Sequence, residues 1–272
     1  MWPSLEGRRF AVQIFGRETS ALARAAGMAV DVGAAIVDIN MGCPAKKVTA
    51  GACGSALMRE PELAAELVAA VRAAVPAEVP VTVKHRAGWD ESSLNAAEFA
   101  RRLVDAGAAM ITVHGRTRAQ GFSGVARMEP IAAVRAALPR DIPVVGNGDV
   151  VDVAGFVALR EQTGCDAVMI GRAASSNPWI FRQIRQFLET GSYDHPTDRD
   201  RYDMMRSYYT MLLERGDLDV VGKMKQFATY FTHGIRHGAQ LRASIYQARE
   251  AAAILDQVDA FFQVQSEAVL AG

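Results

Sequence analysis

Six short apolar runs, each strand-length and each rich in β-branched residues, set the terms for this fold. They are FAVQIF (10–15), AIVDIN (35–40), VPVTVK (79–84), AMITVH (109–114), IPVVGN (142–147) and DAVMIG (166–171). Their apolar character is nearly continuous rather than alternating, the pattern of strands buried on both faces of a parallel sheet. Between them lie helical patterns such as PELAAELVAAVRAAV (61–75), NAAEFARRLVDAG (95–107) and MEPIAAVRAAL (128–138). Strand–helix units recurring every ~25–45 residues predict an α/β fold. Periodicity alone leaves a TIM barrel and a doubly wound sheet open. No GxGxxG follows the first run, which weighs against a nucleotide-binding doubly wound sheet.

The pattern changes after about residue 188. ETGSYDHPTDRD (189–200) is polar, carries Gly and Pro, and reads as a linker. Beyond it, 201–272 shows helical periodicity and no strand-like run, so a small all-helical domain is expected there, after a barrel-sized domain over 1–188. Lys+Arg and Asp+Glu both number 30, so net charge does not advertise a nucleic-acid partner and any basic surface must be local. One exists: 222–249 holds Lys223, Lys225, Arg236, Arg242 and Arg249 with no acidic residue, interleaved with Phe227, Tyr230, Phe231 and Tyr246. A basic stripe with aromatics suits RNA phosphates and exposed bases. It equally suits a solvated helix face over a small aromatic core.

Three cysteines without a CxxC indicate neither a disulfide framework nor a zinc site, and fit a reducing, cytoplasmic setting. The start MWPSLEGRRF has no apolar leader, and no apolar run reaches membrane-spanning length. No His/Cys/Asp/Glu cluster has metal-ligand spacing, and GxSxG is absent. We therefore expect a chain with no metal, no membrane contact and no obligatory protein partner.

The polar residues fall in a telling place. Each apolar run ends in hydrogen-bonding groups: Gln13; Asn40; Lys84 with Arg86; His114 with Arg116; Asn147 with Asp149; and Arg172 after Gly171. In parallel α/β folds the ligand site lies at the carboxyl ends of the strands. Any one of these groups could serve a local turn, as in GNGD (146–149). Together they point to one shared rim. Gly171 allows close approach of a ligand, and Arg172 at the following helix start could pair with a phosphate. Lys84 would bring positive charge to the middle of the mouth, suited to an anionic cofactor or a developing enolate. The set reads as a site for a phosphorylated organic cofactor.

These segments resemble a known family. QIFG, DINMGCPAKKV, VTVKHR, ITVHGRTR, VVGNGDV and MIGRAASSNPWIF occur in order, and together they closely resemble the tRNA-dihydrouridine synthases, particularly the bacterial DusB-like branch. The resemblance runs from about residue 8 to 185 and more loosely over 222–249; NMGCP joined to VKHR and HGRTR is its most specific part. It implies a (β/α)8 TIM barrel, here with about six readable strands, and a helical tRNA-binding domain. It implies FMN as cofactor, NADPH as electron donor, and reduction of the C5–C6 double bond of uridine in tRNA. Carried over by position, Gln13, Lys84, His114, Asn147, Gly148, Asp149, Gly171 and Arg172 match cofactor-binding residues. Asn40 and Arg86 match positions near the target uracil, Cys43 matches the proton donor, and Arg116, Lys223 and Lys225 are expected to bind the substrate. Thiols, with a reference pKa of about 8.5, keep their proton at neutral pH and can act as general acids. Cys53 and Cys165 are expected to be packing residues.

Two departures accompany the resemblance. The Lys-His pair and Trp-Tyr frequent in the family's helical region are replaced here by KQFATYF (225–231). The first-strand APM motif is absent, so the chain opens on what matches the third strand and is expected to be an N-terminally shortened form. Two alternatives stay open: a catalytically inactive RNA-binding remnant, and an FMN barrel dehydrogenase acting on a free pyrimidine.

Overall fold

The computed structural model describes residues 9–216 and 219–270, with side chains through 263. Residues 1–8 of the expected barrel domain and 217, 218, 271 and 272 of the helical one lie outside the described residues. The chain packs as two compact units, Met1–Ile170 and Gly171–Gly272.

In the first unit strands and helices alternate: β1 (Ala11–Ile14), α1 (Thr19–Asp31), β2 (Ile36–Met41), α2 (Lys46–Ala50), a 3-10 turn at Gly54–Arg59, α3 (Pro61–Ala74), β3 (Val81–Arg86), α4 (Ala96–Asp105), β4 (Met110–His114), α5 (Glu129–Ala137), β5 (Val144–Asn147), α6 (Val153–Thr163) and β6 (Ala167–Met169). All six expected strands form. They pair in chain order, every neighbour parallel, which is the α/β arrangement of TIM-barrel type. Among the described residues β1 and β6 each pair on one side.

One face of the sheet carries the core. Val37, Ile39, Val81, Val83, Ile111 and Val113 are fully buried, as are Leu67, Val71, Leu103 and Ile131 on the helices. Each such side chain contributes roughly 1.5–3 kcal/mol relative to exposure. At Gly146 in β5 a Cβ would lie 2.6 Å from Leu159 Cδ2 and 3.0 Å from Cys165 Sγ, so a glycine lets α6 close onto the strand. Cys165 is thus a core residue. Helix ends follow local chemistry: Pro61 starts α3, and Asp152 caps α6 by accepting from Gly155 N at 2.7 Å. Gly164 closes α6 in the left-handed conformation.

The second unit contains α7 (Arg172–Ser176), α8 (Ile180–Thr190), α9 (Asp198–Glu214), α10 (Val220–Phe231), α11 (Gly238–Gln247) and α12 (Ala251–Leu270). We expected a domain boundary near 188 and a linker over 189–200. The compact units divide at Ile170, and the non-helical stretch is 191–197. Side chains tie α8 to α9: Arg182 pairs with Asp200 at 3.2 Å, and the Arg201 guanidinium lies 5.7 Å from the Trp179 ring centroid. A reciprocal cap starts α9, with Asp200 N donating to Thr197 Oγ1 and Thr197 N to Asp200 Oδ2. The bonds that Thr197 N and Thr197 Oγ1 donate to Asp200 Oδ2, with Arg182, hold the Asp200 carboxyl down at about 2.

Candidate active site

Period-two alternation turns Asp38 and Asn40, Thr82, Lys84 and Arg86, and Thr112 and His114 to the sheet face away from the helices. Register then sorts these groups into rungs. Gln13 pairs with Asp38 and Asp38 with Thr82; one step on, Asn40 pairs with Lys84 and Lys84 with Thr112. At the carboxyl ends Arg86 pairs with His114 and His114 with Asn147. Gln13, Asn40, Lys84, Arg86, His114 and Asn147 are therefore brought together, as the sequence predicts. Gly171 and Arg172, at the start of α7, and Lys223 and Lys225, on α10, belong to the second unit.

Cys43 follows β2 in a loop held at four backbone positions. Asn40 Oδ1 accepts from Gly42 N at 3.1 Å and Cys43 N at 2.9 Å. Arg86 Nε donates to Gly42 O at 2.8 Å. Cys43 O accepts from Ser55 N at 3.1 Å and Ser55 Oγ at 2.9 Å. The thiol is half-buried, and its Sγ makes no hydrogen bond among the described residues. Such a loop fixes the cysteine's backbone and leaves its sulfur available. Cys53, by contrast, bonds its own turn through Gly51 O at 3.2 Å.

The two arginines expected near substrate differ in their engagement. Arg86 is 3% exposed and, besides Gly42 O, donates from Nη1 to Thr117 O at 2.8 Å and Gly121 O at 2.9 Å. It ties the cysteine loop to the loop after β4, and its Nη2 makes no hydrogen bond among the described residues. Arg116 has every guanidinium nitrogen engaged by protein oxygens. Nη1 and Nη2 hold the Asp149 carboxylate, Nε meets Ser123 O and Nη2 meets Gly124 O. This geometry makes Arg116 a brace for the loop after β4. The Asp149 carboxylate also accepts from Ala126 N at 2.8 Å, so it serves that same loop. Asn147 Nδ2 donates to Met169 O at 2.8 Å.

The electrostatics favour an anionic guest. Lys84 makes no hydrogen bond or ion pair among the described residues; burial, with Arg86 nearby, lowers its pKa to about 8. Burial, reinforced by Arg86, Lys84 and Arg116, holds His114 neutral with its pKa down to about 3. Arg86 itself falls to about 10 through burial and then Arg116. Asp38 is pushed upward by burial against hydrogen bonds from Thr82 and Gln13. Lys84 is thus a half-buried ammonium with no direct ion pair among the described residues, near both the Arg86 guanidinium and the Asp38 carboxyl.

Sequence reasoning did not assign Asp38, Thr82 or Ser55. Asp38 could have been noticed, since a carboxylate inside an apolar strand run, two residues before Asn40, shares the face of that asparagine. In the second unit, Phe231 is buried and Phe227 packs against the same core; their rings lie 5.6 and 4.7 Å from Tyr208. Tyr230 and Tyr246 are exposed. The aromatic stripe is thus divided between a core and a surface.

A sequence-family model described as Dihydrouridine synthase (Dus) matches residues 1–266. A probable tRNA-dihydrouridine synthase of Rhodobacter capsulatus is 43% identical over 261 residues, covering 94% of this chain and 78% of the relative. A probable tRNA-dihydrouridine synthase 1 of Synechocystis is 40% identical over 250 residues, 90% of this chain and 69% of the relative. A tRNA-dihydrouridine synthase B of Xanthomonas axonopodis is 51% identical over 180 residues, 66% of this chain and 53% of the relative.

Proposed function

We propose that this chain, which belongs to the dihydrouridine synthase family, reduces the C5–C6 double bond of uridine in tRNA with FMN as cofactor and NADPH as electron donor. The observation that carries the reading is the juxtaposition of the backbone-anchored Cys43 loop with the half-buried Lys84, which makes no ion pair among the described residues, on one polar sheet face.

The residues present fit a flavin. Lys84 offers an anionic ring system the charge partner it lacks, Gln13 and Asn147 offer amide groups, and His114 offers a neutral ring nitrogen. Gly148, with φ of 141°, makes the turn after β5 whose backbone would face a phosphate, while the neighbouring Asp149 carboxylate is turned to Arg116 rather than to the anion. Gly171 and Arg172 join this set from sequence resemblance alone. When bound and reduced by NADPH, FMN supplies hydride to C6 of the uracil.

The chain's own residues complete the reduction. Cys43 gives its thiol proton to C5, so hydrogen is added at both carbons, and the thiolate regains a proton from solvent. The anchored loop keeps the sulfur from drifting as the proton leaves. Lys84 and Arg86 stabilise negative charge that builds on the base before C5 is protonated. A uridine reaches this face only when unstacked from the folded RNA. The basic α10–α11 segment with Lys223 and Lys225 is the proposed grip on tRNA phosphates.

The test is the visible absorbance of the purified 272-residue chain with added FMN. A bound-flavin spectrum, bleached by NADPH and restored by unmodified tRNA, is the expected result. A protein that stays colourless, yet binds tRNA, would replace this reading with RNA binding without catalysis. Recovery of colour by free pyrimidines but not tRNA would replace it with a pyrimidine dehydrogenase.

A further inference from the structure

We propose that Asp38 is a positioning residue for Cys43, acting through a one-way hydrogen-bond relay from its carboxylate through Gln13 and Asn40 to the cysteine loop. The inference rests on the proposed role of Cys43 for its purpose, though not for its geometry.

The relay runs link by link. Gln13 Nε2 donates to Asp38 Oδ2 at 2.6 Å. Gln13 Oε1 accepts from Asn40 Nδ2 at 2.9 Å. Asn40 Oδ1 is left facing the loop, where it accepts from the N–H groups of Gly42 and Cys43. The other Asp38 oxygen accepts from Thr82 Oγ1 at 2.6 Å, so three adjacent strands hold the carboxylate in place.

Direction is the point. Two members of the relay are primary amides, whose oxygen and nitrogen ends have the same shape and opposite roles. Nothing in Gln13 or Asn40 alone decides which end faces which neighbour. Both Asp38 oxygens accept, one from Thr82 Oγ1 and the other from Gln13 Nε2, so Asp38 draws the Gln13 nitrogen toward itself. That turns the Gln13 oxygen toward Asn40, the Asn40 nitrogen toward Gln13, and the Asn40 oxygen toward the loop. With the order reversed, an amide NH2 would face two backbone N–H groups, donor against donors, and the loop would lose both tethers.

The test is alkylation of the full chain by iodoacetamide, followed at each cysteine by mass spectrometry, with Cys53 and Cys165 as internal references. Asp38→Asn keeps the shape and removes the obligate acceptor. The double variant Gln13→Glu/Asp38→Asn restores the direction, because the new carboxylate at position 13 accepts from both sides. We expect Cys43 in Asp38→Asn to react about tenfold faster, the factor equivalent to one hydrogen bond of roughly 1.4 kcal/mol. Cys53 and Cys165 should be unchanged, and the double variant should return Cys43 to the wild-type rate. In uridine reduction Asp38→Asn should lower kcat with little change in KM for tRNA.

An unchanged Cys43 rate overturns the relay, and so does equal acceleration at all three cysteines, which would mean general loosening. Should Asp38→Asn fail to fold, Asn40→Ala cuts the last link directly, and an unchanged Cys43 rate there overturns the relay as well. A wild-type chain that reduces no uridine but shows the alkylation pattern removes the proposed function and keeps the relay. Uridine reduction without the pattern does the opposite.

Discussion

Arg116 grips Asp149 by two parallel bonds, Nη1 to Oδ1 at 2.8 Å and Nη2 to Oδ2 at 2.7 Å, from a position only 2% exposed. The pair joins the segments that follow β4 and β5, and the same guanidinium holds Ser123 O and Gly124 O. Arg116→Met would leave the carboxylate facing a cavity without its cation. We expect a loss of about 3 kcal/mol in urea unfolding, at the lower end for buried pairs because Asp149 keeps some solvent contact. Arg116→Lys keeps the charge but loses the fork, and should cost about half as much. A shift below about 0.5 kcal/mol in both variants, the range of ordinary surface changes, would contradict the brace.

Gly54 makes a sharper local prediction. Its φ is +60°, and a Cβ there would sit 2.9 Å from Cys43 O and 2.9 Å from Val48 Cγ1. Gly54→Ala must therefore strain the turn or push the cysteine loop away. We expect a loss of about 1–3 kcal/mol. Gly51 is the control, since its φ is −82° and a Cβ would meet Val48 O at an ordinary 3.5 Å. Gly51→Ala should stay within about 0.5 kcal/mol of wild type. Equal melting temperatures for the two variants would show that the cysteine loop is not packed against position 54.

Cys43 and Cys53 separate chemistry from packing. Cys43→Ala should keep the flavin spectrum while tRNA reduction falls by about 10²–10⁴, the usual contribution of a general acid. Cys53→Ala should leave turnover near that of wild type, since its sulfur only bonds Gly51 O. The measurement is dihydrouridine content of tRNA by mass spectrometry after a fixed time with NADPH. Normal turnover in Cys43→Ala would end the assignment of the proton donor.

The parts of this molecule legible in its sequence are those decided within one segment. Continuous apolar runs gave all six strands because a strand flanked by helices and a sheet interior needs apolar residues whatever its neighbours are. The polar ends of those runs marked the site because register in a parallel sheet places strand ends side by side. What depended on pairs of distant residues was hidden. Gln13 and Asp38 are 25 positions apart, and only strand pairing makes them partners. The pairing of Arg116 was hidden in the same way, because sequence shows its charge and not the carboxylate 33 positions away. The aromatic stripe was ambiguous for a similar reason: Phe231 turns into a core supplied by α9 and α12, while Tyr230 beside it stays in solvent. The division into compact units at Ile170 was hidden because the apolar pattern of α8 does not say which neighbours it packs on until Arg182 finds Asp200.

Lys84 carries the last prediction, through pH. Its pKa is about 8 in the fold against an ordinary 10.5, because burial disfavours the ammonium. Below pH 8 the group is charged in both folded and unfolded chains, and the fold bears the whole desolvation cost. Between pH 8 and 10.5 the unfolded chain binds more protons than the folded one, so stability rises with pH. Above 10.5 the cost is gone. The span is roughly 3 kcal/mol by linkage. Lys84→Met, similar in shape and uncharged, should remove that rise and gain about 1–3 kcal/mol at pH 7 in the flavin-free protein. It should also abolish FMN binding, because the cation that an anionic flavin would pair with is lost. In the wild type, FMN affinity should weaken as pH climbs past 8, as the ammonium loses its proton. Urea unfolding of both proteins from pH 7 to 10.5, compared as a difference so that other titrating groups cancel, measures the effect. Parallel curves would mean that Lys84 is not buried as an unpaired cation, and the electrostatic case for an anionic cofactor on this face would fall with it.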